Sequence, residues 1–232
     1  GRGLSLWWDE FESKRVDGYS SGKEIKSHLP SLEEKTQGFR RAEVSVLAGS
    51  PGSGKSAFAL NLILAAVNGS KAKTTLISLE MTLDEIMARV VVQMTDRVPL
   101  KFILDPTRLQ FKKWQGIEDE LNRLNKEIQK AKDWTNKLLE EGVFDATALN
   151  SFHPVVVEKT VEKAARQGSD FIVLDHIHRI LFPSKEGIYT EQMTNFMVTL
   201  TEISKSYGCN ILVLSQLNRE SSKESRKPRL TD

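Results

Sequence analysis

Cysteine is almost absent from this 232-residue chain: Cys209 is the only one. That excludes an intrachain disulfide and any zinc site built from several cysteines, and it points to a reducing cytoplasm. Long apolar runs are missing too. No stretch approaches the roughly 20 residues that a membrane helix requires, so no membrane partner is expected. No signal peptide is visible at the N-terminus, and the true start is expected to lie before Gly1. A large charge imbalance is also lacking. The net charge is +2 and the pI about 8.6, short of the basic excess of proteins that coat duplex DNA. A few phosphate contacts inside a channel would not need such an excess. The 39% of hydrophobic and 28% of charged residues describe an ordinary globular domain instead. The length suits one domain with an appendage.

The first 28 residues differ from the rest. "LSLWWDEFESK" spaces Leu4, Trp7, Trp8 and Phe11 as one face of a short helix, and "VDGYSSGK" breaks it with glycines and serines. An apolar face must be buried, either on its own domain or on a neighbouring subunit. From Ala42 onward, apolar strands alternate with helices. "AEVSVLAG" reads as a buried strand, and "KSAFALNLILAAVNG" as a helix stopped by Asn68-Gly69. "TTLISLE" reads as a second strand ending at Glu80, after which Thr82 caps the helix "LDEIMARVVVQM". Residues 107–141 are charged and helical, with Trp114, Ile117, Leu121, Leu124, Ile128, Ala131 and Leu138 forming one stripe. That stripe packs either on its own domain or in a hairpin or subunit contact. "GVFDA", "DFIVLD" and "CNILVLSQ" read as further strands, separated by the helices "PVVVEKTVEKAARQG" and "TEQMTNFMVTLTEISKSYG". The alternation predicts an α/β fold with a mainly parallel central sheet flanked by helices.

"GSPGSGKS" is the chemically informative stretch. Gly49, Gly54, Lys55 and Ser56 complete the pattern G-x-x-x-x-G-K-[ST] between a strand and a helix. Glycines let backbone N–H groups of Gly49, Ser50, Pro51, Gly52, Ser53 and Gly54 (proline excepted) curl round phosphates, and the helix that follows turns its positive end toward them. Lys55 is placed to reach β- and γ-phosphates and the Ser56 hydroxyl to ligate Mg²⁺. The second magnesium partner should be an acid at the end of another apolar strand, and Asp175 ends "FIVLD". Glu80, at the end of the second strand, is placed to orient water, and Gln216, at the end of the last, to sense the γ-phosphate. His176 and His178 alternate like a metal pair, but no third ligand lies near them in the sequence.

Taken together, the entry segment "LPSLEEKTQGFRRAEVSVLAGSPGSGKSAFALNL", "SLEM", "FIVLDHIHRI", "LVLSQLNRE" and "KPRLTD" resemble, in that order, the RecA-like motor domain of DnaB-type replicative DNA helicases. The resemblance covers about residues 29–232 and leaves 1–28 as a linker helix and tether. It implies ATP and Mg²⁺ as cofactors, with Glu80 as catalytic glutamate, Asp175 as Walker B aspartate, Gln216 as γ-phosphate sensor and Arg89 near the nucleotide. It also implies a homo-oligomeric ring of six subunits around single-stranded DNA, ATP between subunits, docking of the "WWDEF" linker on the next subunit, and a primase or helicase loader as a further partner. The family's main DNA loop and arginine finger are expected beyond Asp232, so the motor's C-terminal end would be missing. Within the chain, Lys185, Arg226, Lys227 and Arg229 are the candidate DNA contacts, or else ordinary solvated charges. Asp175-His176 departs from the family's frequent Asp-Tyr. The rival readings are a recombinase or clock-type ATPase, a helicase-like ring loader that does not unwind, and a P-loop small-molecule kinase, for which no arginine-rich lid is visible.

Overall fold

The computed structural model describes residues 24–95, 98–105, 118–182 and 188–217. The segment before residue 24, which holds the expected linker helix, lies outside the described residues, as do Trp114 and Ile117. A short helix α1 (Pro30–Thr36) leads into strand β1 (Val44–Gly49), followed by α2 (Lys55–Ala65), β2 (Thr74–Ser78), α3 (Leu83–Gln93) and α4 (Leu100–Leu104). The long helix α5 (Glu118–Glu140), β3 (Phe144–Ala148), α6 (Pro154–Arg166), β4 (Phe171–Asp175), α7 (Ile188–Tyr207) and β5 (Asn210–Gln216) complete it.

The five strands form one sheet in the order β1-β5-β4-β2-β3, and every pairing is parallel. Alternate residues of each inner strand enter opposite apolar layers. Leu76, Phe171, Val173, Leu212 and Leu214 pack with α2 on one face, while Ile77, Ile172, Leu174, Ile211 and Val213 pack with α6 and α7 on the other. Burial on both faces is the reason these inner strands lack the apolar-polar alternation of a half-exposed sheet. A smaller cluster joins Val91 of α3 to Leu124, Ile128 and Ala131 of α5. The α5 stripe therefore packs on its own domain, and Leu138 extends it into the core beside α2.

Three local features differ from the sequence reading. The second strand ends at Ser78, not Glu80, because the Ser78 hydroxyl accepts the backbone N–H groups of Glu80 and Met81 at 3.2 and 2.9 Å and turns the chain out of the sheet. The helix after the glycine-rich loop does not stop at Asn68-Gly69. It widens into a π-turn over Ala66–Ser70 and ends where Lys71 adopts φ 53°. Finally, the fold begins before residue 29: Ile25 is 1% exposed, sits in the core and pairs with Phe39 through mutual backbone hydrogen bonds of 2.8 and 3.2 Å. Ile25 and Ser27 are therefore buried against the domain.

At the amino edge of the sheet, Asp170 holds several segments together. Its carboxylate pairs with Arg41 just before β1 and accepts the Lys73 backbone N–H at 2.9 Å, and its carbonyl accepts the Asn210 N–H at 2.9 Å. Replacing Asp170 by alanine removes the acceptor for the Lys73 N–H and one partner of Arg41. The expected loss is about 1–3 kcal/mol of unfolding free energy, read from urea denaturation; an unchanged midpoint would show that the carboxylate does not secure this edge.

Candidate nucleotide site

The opposite, carboxyl edge carries the chemistry. β1 ends at Gly49, residues 50–54 form the loop, and α2 starts at Lys55. The loop needs glycine for two separate reasons. A Cβ at Gly49 would lie 2.8 Å from Ser53 Oγ, closer than real contacts permit, and Gly54 enters the helix with φ 87°, which side chains rarely adopt. The first N–H groups of α2 have no partner within the helix and carry its positive end. Lys55 is buried, and its Nζ donates to the carbonyls of Gly49 and Ser50, each at 2.8 Å. An ammonium has three donors, so the loop holds Lys55 in place and leaves one for an anion.

A cleft of about 520 Å³ opens over this loop. Lys55, Ser56, Glu80, Arg89 and Gln216 all line it. Gly49 ends the strand beneath the cleft, and Ser50, Pro51, Gly52 and Ser53 form the turn between strand and helix. β4 brings Asp175, which is 1% exposed, and its Oδ2 has no hydrogen-bond partner among the described residues. Glu80 stands on the turn between β2 and α3. That turn is rigid, because Thr82 and Glu85 form a reciprocal capping box at the start of α3. The DNA candidates Lys185, Arg226, Lys227 and Arg229 lie outside the described residues.

Sequence reasoning leaves five residues of the cleft unassigned, Ala57, Met81, Glu85, His176 and Arg179. The His176-His178 alternation is the available signal, but the two rings do different work. His176 Nδ1 lies 3.3 Å from Asp175 Oδ1 and 3.9 Å from Glu80 Oε2. His178 Nδ1 instead accepts the backbone N–H of Gln216 at 3.2 Å and so ties the turn after β4 to the end of β5. The hydrogen bond to Asp175 raises the His176 pKa above its ordinary value against the cost of burial, helped by the charges of Asp175 and Glu80 and by the Gln216 amide. Partial desolvation, then the positive charge of His176 and of Lys55, lowers that of His178.

A parallel sheet with a phosphate loop after its first strand, an acid at the end of an inner strand and a polar cleft across that edge defines a RecA-like P-loop nucleotide-binding domain. The family model for the DnaB-like helicase C terminal domain matches residues 24–232, and the chain belongs to that family. The replicative DNA helicase DnaB of Rickettsia felis is 28% identical over 221 residues, which cover 90% of this chain and 41% of that protein. That of Haemophilus influenzae is 23% identical over 208 residues, covering 88% of this chain and 41% of that protein. The chain thus spans about 41% of the length of these relatives. Two solved structures share the fold. One, of an ATPase domain, superposes with a TM-score of 0.72 at 19% identity, over 99% of this chain and 75% of that one. A DnaB-like replicative helicase, described with its interactions with primase, gives 0.71 at 21%, over 99% of this chain and 51% of that one. Among the described residues, no helix is long and apolar enough to cross a membrane.

The opposite shifts of the two neighbouring imidazoles predict an observable order. In an NMR titration of the histidine ring signals, His176 should lose its proton at a higher pH than His178. Replacing Asp175 by asparagine should bring His176 down toward an ordinary imidazole. Coincident titration of the two rings would show that the Asp175 contact does not form.

Proposed function

We propose that this chain is the ATPase motor of a replicative DNA helicase, using ATP hydrolysis at subunit interfaces to move along single-stranded DNA and unwind duplex. The observation that carries the reading is the meeting of Lys55, Ser56, Glu80, Arg89 and Gln216, drawn from separate elements, around one cleft in a chain of this family. Lys55 holds the β- and γ-phosphates while the loop N–H groups and the start of α2 surround them. Ser56 and Asp175 suit a magnesium ion: one supplies a hydroxyl at the helix start, the other a buried carboxylate with an oxygen that has no partner among the described residues. Bound there, Mg²⁺ would neutralise charge on the phosphates. Glu80 is exposed enough to meet water at the cleft and aims it at the γ-phosphate. Gln216 detects that phosphate by hydrogen bonding. Its link to His178 passes the end of β5 to the turn after β4. Arg89 adds positive charge at the rim.

We further assign residues 1–23 to the linker and the rest to the motor, with six copies in a ring and a primase or loader as an additional partner. A groove between α3, α4 and α5 supports the ring. It is lined by Met87, Val91, Ile103, Leu104 and Leu139, and two of these leucines are exposed. Single exposed leucines are ordinary, but a lined apolar groove marks a surface to be covered. The "LSLWWDEF" segment of a neighbouring copy has the apolar side chains for it.

A second reading, a RecA-type or clock-type ATPase or a ring loader that binds DNA and ATP without unwinding, shares the same cleft. Lys55→Ala should abolish ATP turnover through lost phosphate binding. Glu80→Gln should keep ATP binding while lowering turnover by about 10²–10⁴-fold. Hydrolysis that survives Lys55→Ala would sink the site assignment. Native mass measurement of the full-length protein with ATP and single-stranded DNA should give six copies. A forked-substrate assay separates the two readings, since DNA-stimulated turnover without strand separation would favour the loader.

A further inference from the structure

Three donor groups of mixed chemistry meet beside the phosphate loop. Glu80 comes from the turn after β2, and Asp175 and His176 from the end of β4. One oxygen of each carboxylate and one imidazole nitrogen lie within 4.8 Å of one another. The His176–Asp175 separation is 3.3 Å and the His176–Glu80 separation 3.9 Å. Ligand atoms around a tetrahedral zinc stand roughly 3.3 Å apart, given bonds of about 2.0 Å. Asp175 and His176 are therefore already spaced as ligands, and the proton that Nδ1 shares with Asp175 leaves to solvent when the ion binds. Glu80, with a side chain 45% exposed, can close the remaining gap by a change of rotamer. The buried Oδ2 of Asp175 lacks a partner among the described residues, and a buried carboxylate calls for a donor or a cation.

The chemistry of the donors selects the cation. Magnesium takes oxygen ligands and keeps several waters. An imidazole nitrogen beside two carboxylates favours first-row transition ions, with affinity rising along the series from manganese through cobalt. We propose that Glu80, Asp175 and His176 form a binding site for a divalent transition-metal ion, Mn²⁺, Co²⁺ or Zn²⁺, which is taken directly by the protein in the absence of nucleotide. His178 is not a ligand, because its Nδ1 is engaged by the Gln216 N–H. Occupancy has a consequence that rests on the proposed function: with Glu80 holding a metal ion, its carboxylate no longer aims water, and hydrolysis is held off. The binding itself does not depend on that reading.

Co²⁺ is the probe, titrated into the full-length protein without nucleotide and followed by visible absorption and calorimetry. One Co²⁺ per chain is expected, with a spectrum of nitrogen and oxygen ligation. His176→Gln should weaken it by about 100-fold and change the spectrum, while His178→Gln should leave both unchanged. Glu80→Gln, at an exposed position, should also weaken binding, and it decides the matter if His176→Gln does not fold. Lys55→Ala should still bind Co²⁺ even though it cannot hold phosphates, so failure of the metal site and failure of the nucleotide site are told apart. The proposal is overturned if wild-type protein shows no saturable Co²⁺ binding, or if folded His176→Gln or Glu80→Gln binds it as tightly as wild type.

Discussion

Parallel pairing is the constraint on which the rest depends. Because every strand runs the same way, all their carboxyl ends meet on one edge. The register aligns them closely: Gly49 stands opposite Gln216, and Ser78 opposite Asp175. A glycine-rich loop, a water-facing glutamate and a strand-end amide thus share one cleft, and the buried acid that ends β4 stands next to His176, which lines it. A parallel sheet requires helical crossovers and burial on both faces. The two apolar layers provide both, and their tight packing is what holds the edge rigid.

At that edge, charge is balanced by geometry. Lys55 is tethered by two loop carbonyls, which offset part of the cost of burying an ammonium. Asp175 is more deeply buried and is answered on one oxygen by His176. The other oxygen has no partner among the described residues, and both proposals turn on it: a magnesium ion with bound nucleotide, or a metal ion held by the protein alone. His176 thus stands where two chemistries compete. It touches the acid that would share magnesium and lies near the glutamate that would direct water. A tyrosine at that position would offer no ligating nitrogen.

Much of this is legible in the chain itself, because the signals are local. Short runs rich in apolar and β-branched residues mark the strands; the capping box at Thr82 and the G-x-x-x-x-G-K-S loop are properties of a few consecutive residues. The same locality explains the misreadings. The second strand reads through to Glu80 because an apolar run cannot reveal that the Ser78 hydroxyl will capture the next two N–H groups. Asn68-Gly69 resembles a helix stop, since nothing nearby announces a π-turn. Ile25 reads as tether until Phe39 is placed against it.

The sequence by itself determined roughly where the strands lie, where the G-x-x-x-x-G-K-S loop falls, and that Asp175 and Gln216 end their strands, since each depends on neighbours only a few positions away. The tertiary structure alone decided that Glu80 approaches His176, that His178 turns instead to Gln216, and that a buried oxygen of Asp175 is left without a partner among the described residues. Those facts come from strand register and crossover packing. They join residues far apart in the chain, and no period or spacing along the chain encodes them.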